Sequence, residues 1–127
     1  MKTIALIAHD ARKDDMVEFV QANFRILQNM KLVATGTTGV RVRETGLDVL
    51  CKLSGPMGGD AQIAAMAAEG LLDGILFFRD PLGKHPHEPD VQMLLRICDV
   101  HNVPLATNRA TATFLLYGMA EVPNIEI

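Results

Sequence analysis

The sequence predicts an α/β fold in which a parallel sheet carries helices on both faces. Three observations support that expectation. Five short apolar runs of β character alternate with stretches of helical periodicity along the 127 residues, the pattern of parallel strands joined by helical crossovers. The run Gly74-Ile75-Leu76-Phe77-Phe78 has no polar member, as in a strand buried on both faces. Every glycine-rich or unusually polar segment directly follows one of the five runs, on the edge where open α/β sheets bind ligands.

The first strand is assigned to Thr3–Ala8. A helix follows from about Ala11 to Gln28, where Val17, Val20, Phe24 and Leu27 recur at spacings of three and four and form one apolar stripe. Lys31–Ala34 is the second strand, and Val42–Gly46 is read as a short helix. Val49–Leu53 is the third strand, followed by a helix carrying Ile63, Met66, Ala67 and Leu71. Gly74–Phe78 is the fourth strand. A helix from about Pro89 to His101 buries Val91, Leu94, Leu95 and Cys98. Pro104 opens the fifth strand, Leu105–Thr107, and a last helix runs from about Ala110 to Tyr117.

Length and composition narrow the function classes. Residues 1–127 are expected to form one domain. A formal net charge of −3, no Trp and one Tyr leave neither a basic footprint nor stacking platforms, so no nucleic-acid partner is expected. The apolar run Thr3–Ala8 ends at His9-Asp10, too short for a signal core or a membrane span. Cys51 and Cys98 lack metal-ligand spacing, lie in apolar runs and are read as buried free thiols. A reducing, cytoplasmic location is therefore expected.

The polar segments carry the chemistry. Leu53-Ser54-Gly55-Pro56-Met57-Gly58-Gly59-Asp60 packs three glycines and a proline into a tight loop delivering one carboxylate, Asp60. A carboxylate over a nest of backbone donors is a candidate general base, although such loops also serve as plain turns. Thr35-Gly36-Thr37-Thr38-Gly39 enters a helix, where amides and hydroxyls suit a phosphate or carboxylate. It has neither the Walker ending nor the dinucleotide spacing, and a threonine helix cap is its plainer reading. Lys13 adds a point charge from the turn after the first strand.

Asp80-Pro81-Leu82-Gly83-Lys84-His85-Pro86-His87-Glu88-Pro89-Asp90 is a loop stiffened by three prolines. His85-x-His87-x-x-Asp90 matches no defensible metal motif, and no metal is expected. His87 is instead read as a hydrogen-bond donor or proton shuttle oriented by Asp80 or Asp90; Asp90 also suits a helix N-terminus. Together these groups form an inventory for proton abstraction beside a carbonyl in a small phosphorylated substrate. Inorganic phosphate is expected to inhibit by occupying the same loop.

Ala8-His9-Asp10, Thr35 to Gly39, Ser54 to Gln62, Asp80-Pro81-Leu82 with Pro86 to Asp90, and Thr107-Asn108-Arg109-Ala110-Thr111-Ala112 together resemble the methylglyoxal synthase family, collinearly from about residue 3 to 117. The resemblance implies a three-layer α/β/α domain with strand order 3-2-1-4-5 and a homohexamer. It implies a lyase that converts dihydroxyacetone phosphate to methylglyoxal and inorganic phosphate without metal or organic cofactor. Asp60 matches the family's catalytic base. His9, Lys13, Thr35, Gly36, Thr37, Thr38, Ser54, Gly55 and His87 match substrate-binding positions, and Asp80 and Asp90 supporting carboxylates. Family members are expected to continue into a tail whose arginine nears a neighbouring subunit's phosphate site. No arginine follows Arg109 here, so these residues predict no such contact. The rival readings are a non-catalytic effector-binding module of the same fold, which needs no base, and a metal-dependent hydrolase.

Overall fold

The strands of the computed structural model form one all-parallel sheet of order β3-β2-β1-β4-β5. It describes residues 1–83 and 88–121, with 88–90 defined by backbone alone. The strands are β1 (Thr3–Ala8), β2 (Lys31–Ala34), β3 (Val49–Cys51), β4 (Gly74–Phe78) and β5 (Leu105–Ala106). The helices are α1 (Lys13–Ala22), α2 (Phe24–Leu27), α3 (Gly36–Arg43), α4 (Gly59–Ala68), α5 (Glu88–His101) and α6 (Arg109–Glu121).

Side-chain alternation along the strands divides the core between two faces. Ile4, Leu6, Leu76 and Phe78 pack with Met16, Phe19, Val42, Ala112 and Leu116, so α1, α3 and α6 cover one face. Ala5, Ile7, Ile75 and Phe77 pack with Ile63, Ala67, Val91, Leu94 and Cys98, which places α4 and α5 on the other. All five residues of β4 are buried, as its lack of polar residues predicts. The chain moves outward from β1 through β2 to β3, then returns to β4 on the other side of β1. The loops leaving β1 and β4 therefore diverge and open a crevice at the carboxyl edge.

Several element boundaries differ from the sequence expectation. The long first helix is broken: a short 3-10 turn spans Asp10–Arg12, and α1 stops before Asn23. Asn23 is buried, and its Nδ2 donates to the Phe19 carbonyl at 2.9 Å. This local side-chain bond competes with the helical ladder, an effect absent from hydrophobic spacing. Val20 and Leu27 are buried as expected, but Met16 and Phe19 complete the inner stripe while Val17 and Phe24 are only half-buried.

The helix expected at Val42–Gly46 instead begins at Gly36 and ends at Arg43. Gly39 permits this earlier start, because a Cβ there would lie 2.6 Å from Cys51 Sγ. β3 and β5 end earlier than predicted, at Cys51 and Ala106. Leu71, expected within the helix, lies beyond the end of α4 at Ala68 and is exposed. Cys98 is buried as expected, whereas Cys51 is half-buried with its sulfur receiving an Arg43 donor at 3.2 Å.

Candidate active site

The loops after β1, β2 and β3 surround a cavity of about 480 Å³ at the carboxyl edge, within the size range of small-molecule sites. His9, Lys13, Thr35, Thr37, Ser54, Gly55 and Asp60 all line it. Two glycine-bearing segments and the His9–Lys13 turn, far apart in sequence, thus meet around one space.

The third loop is shaped by short backbone bonds. Met57 N and Gly59 N both donate to the Ser54 carbonyl, at 3.0 and 2.9 Å, and Gly58 N donates to Gly55 O at 3.0 Å. Gln62 reaches back from α4 so that its Oε1 accepts the Leu53 amide at 2.8 Å. Gly59 lies so close to the incoming chain that a Cβ would come within 1.9 Å of the Leu53 carbonyl oxygen. This folding sets Asp60 in the first turn of α4, with only 8% exposure. Negative charge is favoured at that helix end. The carboxylate lies above Gly55: a Cβ built there would sit 3.5 and 3.6 Å from its two oxygens. The absent side chain leaves the space beside the carboxylate open to the cavity.

On the facing wall, Thr35 follows β2 directly, extended and 5% exposed. Its hydroxyl makes no side-chain cap to α3, so the plain capping role is not what the structure contains. The first-turn amides of a helix lack intrahelical acceptors. Gly36 N donates instead to Leu53 O at 3.1 Å, which ties the second loop to the third. Thr37 is exposed toward the cavity. Thr38 is buried and turns away, its Oγ1 directed at the Ala8 carbonyl at 3.5 Å. Gly36 stands behind the lining, against Ser54.

His9 and Lys13 close the remaining side. Lys13 is mostly buried and forms an ion pair with the exposed Asp10 at the mouth. The Asp80 amide donates to His9 Nδ1 at 2.9 Å. A nitrogen that accepts a hydrogen bond carries no proton, so the imidazole proton resides on Nε2. The ring also meets Phe77 edge to face, with centroids 5.1 Å apart. Asp80 is expected to orient His87; what the structure gives is its Oδ1 receiving the Leu82 and Gly83 amides at 3.2 and 3.1 Å. His87 lies outside the described residues, as does the side chain of Asp90.

The cavity also contains groups given no site role by the sequence: Ala8, Asp10 and Pro56, which lie within its motifs, and Ile7 and Phe77, which do not. Ile7 pairs with Phe77 across β1 and β4, so strand register would have placed both at this edge. Among the described residues no group of three His, Cys, Asp or Glu is arranged to hold a metal ion. Likewise, no described helix is long and apolar enough to cross a membrane.

Known proteins resemble this chain in sequence and in fold. The family model for an MGS-like domain matches residues 15–107. A methylglyoxal synthase of Borrelia garinii subsp. bavariensis is 58% identical over 118 residues, covering 92% of this chain and 94% of the relative. One from Moorella thermoacetica is 56% identical over 121 residues, covering 94% of each. The crystal structure of methylglyoxal synthase from Elizabethkingia anophelis superposes with a TM-score of 0.88 at 45% identity, over 94% of this chain and 80% of that one. A chain that shares this fold and more than half its residues with such enzymes over nearly its whole length belongs to the methylglyoxal synthase family of lyases.

Proposed function

We propose that this cavity converts dihydroxyacetone phosphate to methylglyoxal and inorganic phosphate, with Asp60 as the base. The observation that carries the reading is the pairing of opposite walls in one space. A loop-held carboxylate faces Thr35, a buried hydroxyl whose oxygen neither caps its helix nor bonds another described residue. Such a buried polar group costs free energy unless a ligand completes it. The α3 amides, Thr35, Thr37 and Lys13 would receive the phosphoryl group.

Asp60 would remove a proton from the hydroxymethyl carbon, and the electron pair of that C–H bond would form the enediolate. His9 Nε2–H, whose tautomer is set by the Asp80 amide, would donate to the developing oxyanion, joined by the Gly55 amide and His87. The enediolate π electrons would then expel phosphate by breaking the carbon–oxygen ester bond. The remaining enol becomes methylglyoxal by taking up a proton at its terminal carbon and releasing its hydroxyl proton. Elimination needs the ester bond out of the enediolate plane, and the threonine cradle is the part that would hold it there. Positioned acid–base groups supply about 10²–10⁴-fold, and each oxyanion donor about 3–4 kcal/mol.

In the same reading, residues 1–127 act as one cytoplasmic domain without metal or organic cofactor, and released phosphate competes with substrate for the cradle. A homohexamer is supported by apolar surface that one chain leaves in water: Leu50 on the edge strand β3 is 57% exposed and Phe114 on α6 80%.

Asp60→Asn tests the assignment. It should reduce methylglyoxal formation at least about 10²-fold and abolish exchange of the substrate's carbon-bound hydrogen with solvent deuterium. Phosphate binding and the melting temperature should persist. Exchange continuing at the parental rate while elimination stops would remove Asp60 from the proton-abstraction step. Unchanged turnover would place the base elsewhere, and phosphate binding without any methylglyoxal formation by the parent protein would favour the effector-binding reading.

A further inference from the structure

We infer that a second cleft on the same edge binds a compact organic oxyanion, a carboxylate or phosphate ester, and is coupled to the first cavity through one peptide unit. This cleft of about 450 Å³ lies over Phe78, whereas the first lies over Phe77. Phe78 faces the α1–α3–α6 side of the sheet and Phe77 the α4–α5 side. The two cavities therefore flank the sheet edge.

Arg12, Arg79 and Arg109 converge on the second cleft from the turn after β1, the exit of β4 and the start of α6. Three of the seven arginines in a chain of net charge −3 thus share one small space. Thr107 and Asn108 line it as well. Asp15 meets Arg12 at 3.1 Å and Glu18 meets Arg109 at 3.2 Å. Both pairs are exposed, with side-chain accessibilities of 39% and 44%, and 47% and 64%. Such pairs are weak and readily exchanged. Each carboxylate engages one guanidinium nitrogen, leaving the other donors of a planar fork suited to carboxylate or phosphate oxygens.

Arg12 is also pre-oriented, because its Nε donates to the Arg79 carbonyl at 3.2 Å. The next amide along the chain, that of Asp80, donates to His9 Nδ1. The carbonyl of residue 79 and the N–H of residue 80 belong to one rigid planar unit. An anion drawing on Arg12 therefore acts on the same plane that fixes the imidazole of the first cavity. The two sites share a hinge.

Citrate and 3-phosphoglycerate serve as probes, measured by calorimetry on the full chain. Each site-directed comparison uses Arg12→Gln/Arg109→Gln and, should that double variant fold poorly, Arg109→Gln alone. At least one probe should bind saturably, at least tenfold more weakly in the double variant and equally well in Asp60→Asn. Binding of citrate alone identifies carboxylate recognition, and of 3-phosphoglycerate alone phosphoryl recognition. Imidazole NMR signals of His9 should shift at saturation. Absence of saturable binding up to 10 mM, or binding that both arginine variants leave intact, overturns the site. Saturable binding that leaves the His9 signals unmoved overturns the coupling. Because binding is read in Asp60→Asn, its failure is distinct from failure of the assignment of Asp60.

Discussion

Gly59→Ala is the sharpest structural test of the loop that carries Asp60. Helix propensity alone favours the change, since alanine replaces glycine at the first position of α4, a gain below the roughly 1 kcal/mol of a helix interior. Packing opposes it. The new Cβ would lie 1.9 Å from the Leu53 carbonyl oxygen and 2.9 Å from both the Leu53 carbonyl carbon and the Ser54 oxygen. Contacts under 3.0 Å essentially never occur, so the loop and helix must part by more than about 1 Å. All three contacts are main chain and no side chain can swing aside, which places the cost near the upper end of overpacking, about 3 kcal/mol. For a domain of this size that is a fall in Tm of roughly 10–15 °C. A displacement of about 1 Å at the base is worth about 10²-fold in turnover. Gly58→Ala is the control: its φ of +104° strains an alanine, yet nothing lies within 4 Å of the added methyl. It should cost about 1–2 kcal/mol and leave turnover within a few-fold. Thermal unfolding and initial rates on the two variants decide the matter. If Gly59→Ala keeps its Tm and turnover while Gly58→Ala suffers more, the close approach at Leu53 does not govern the loop.

Thr35→Val should raise KM and weaken phosphate binding about tenfold or more, one charge-assisted hydrogen bond. Its Tm should stay within about 2 °C because the hydroxyl bonds nothing in the described protein; a stability loss without a KM change would make it structural. Burial, with a smaller contribution from Asp99, pushes the Cys98 thiol up to about 11 from 9.0. The folded state therefore holds its proton above the pH at which the unfolded chain releases it. Stability is full below pH 9 and declines toward pH 11, by roughly 2–3 kcal/mol. Urea midpoints across that range should fall in the parent and flatten in Cys98→Ala; parallel curves would contradict the assignment.

The strand pattern was readable because each strand is a short apolar run ending at a polar or glycine-rich segment, and burial on both faces leaves little compositional choice. The meeting of His9, Thr35, Ser54 and Asp60 follows from the same property: in a parallel sheet every strand delivers its following loop to one edge. Features governed by single bonds were less accessible. Asn23 ends α1 through a bond to Phe19, although hydrophobic spacing continues through it. Gly36 and Gly39 look like loop residues until Lys52, Ser54 and Cys51 are seen pressing on them, and then they are the start of a helix lying on β3. Thr38 is indistinguishable from Thr37 in sequence, yet one faces Ala8 and the other the cavity.

The second cleft illustrates a different limit. Arg12, Arg79 and Arg109 lie far apart in the chain, and only Arg109 falls in a segment that carries the family resemblance, Thr107 to Ala112. Only the order β3-β2-β1-β4-β5 brings the ends of β1, β4 and β5 side by side. The same placement of β1 beside β4 lets the Asp80 amide reach His9. A switch point in an open sheet thus opens a crevice and also makes its two walls mechanically dependent. The 79–80 peptide can receive Arg12 from one face and His9 from the other because β1 and β4 are neighbours whose chains leave in opposite directions. The prediction for any chain with this strand order is that a change at the exit of β4 is felt at the residue after β1, even where the two cavities share no side chain.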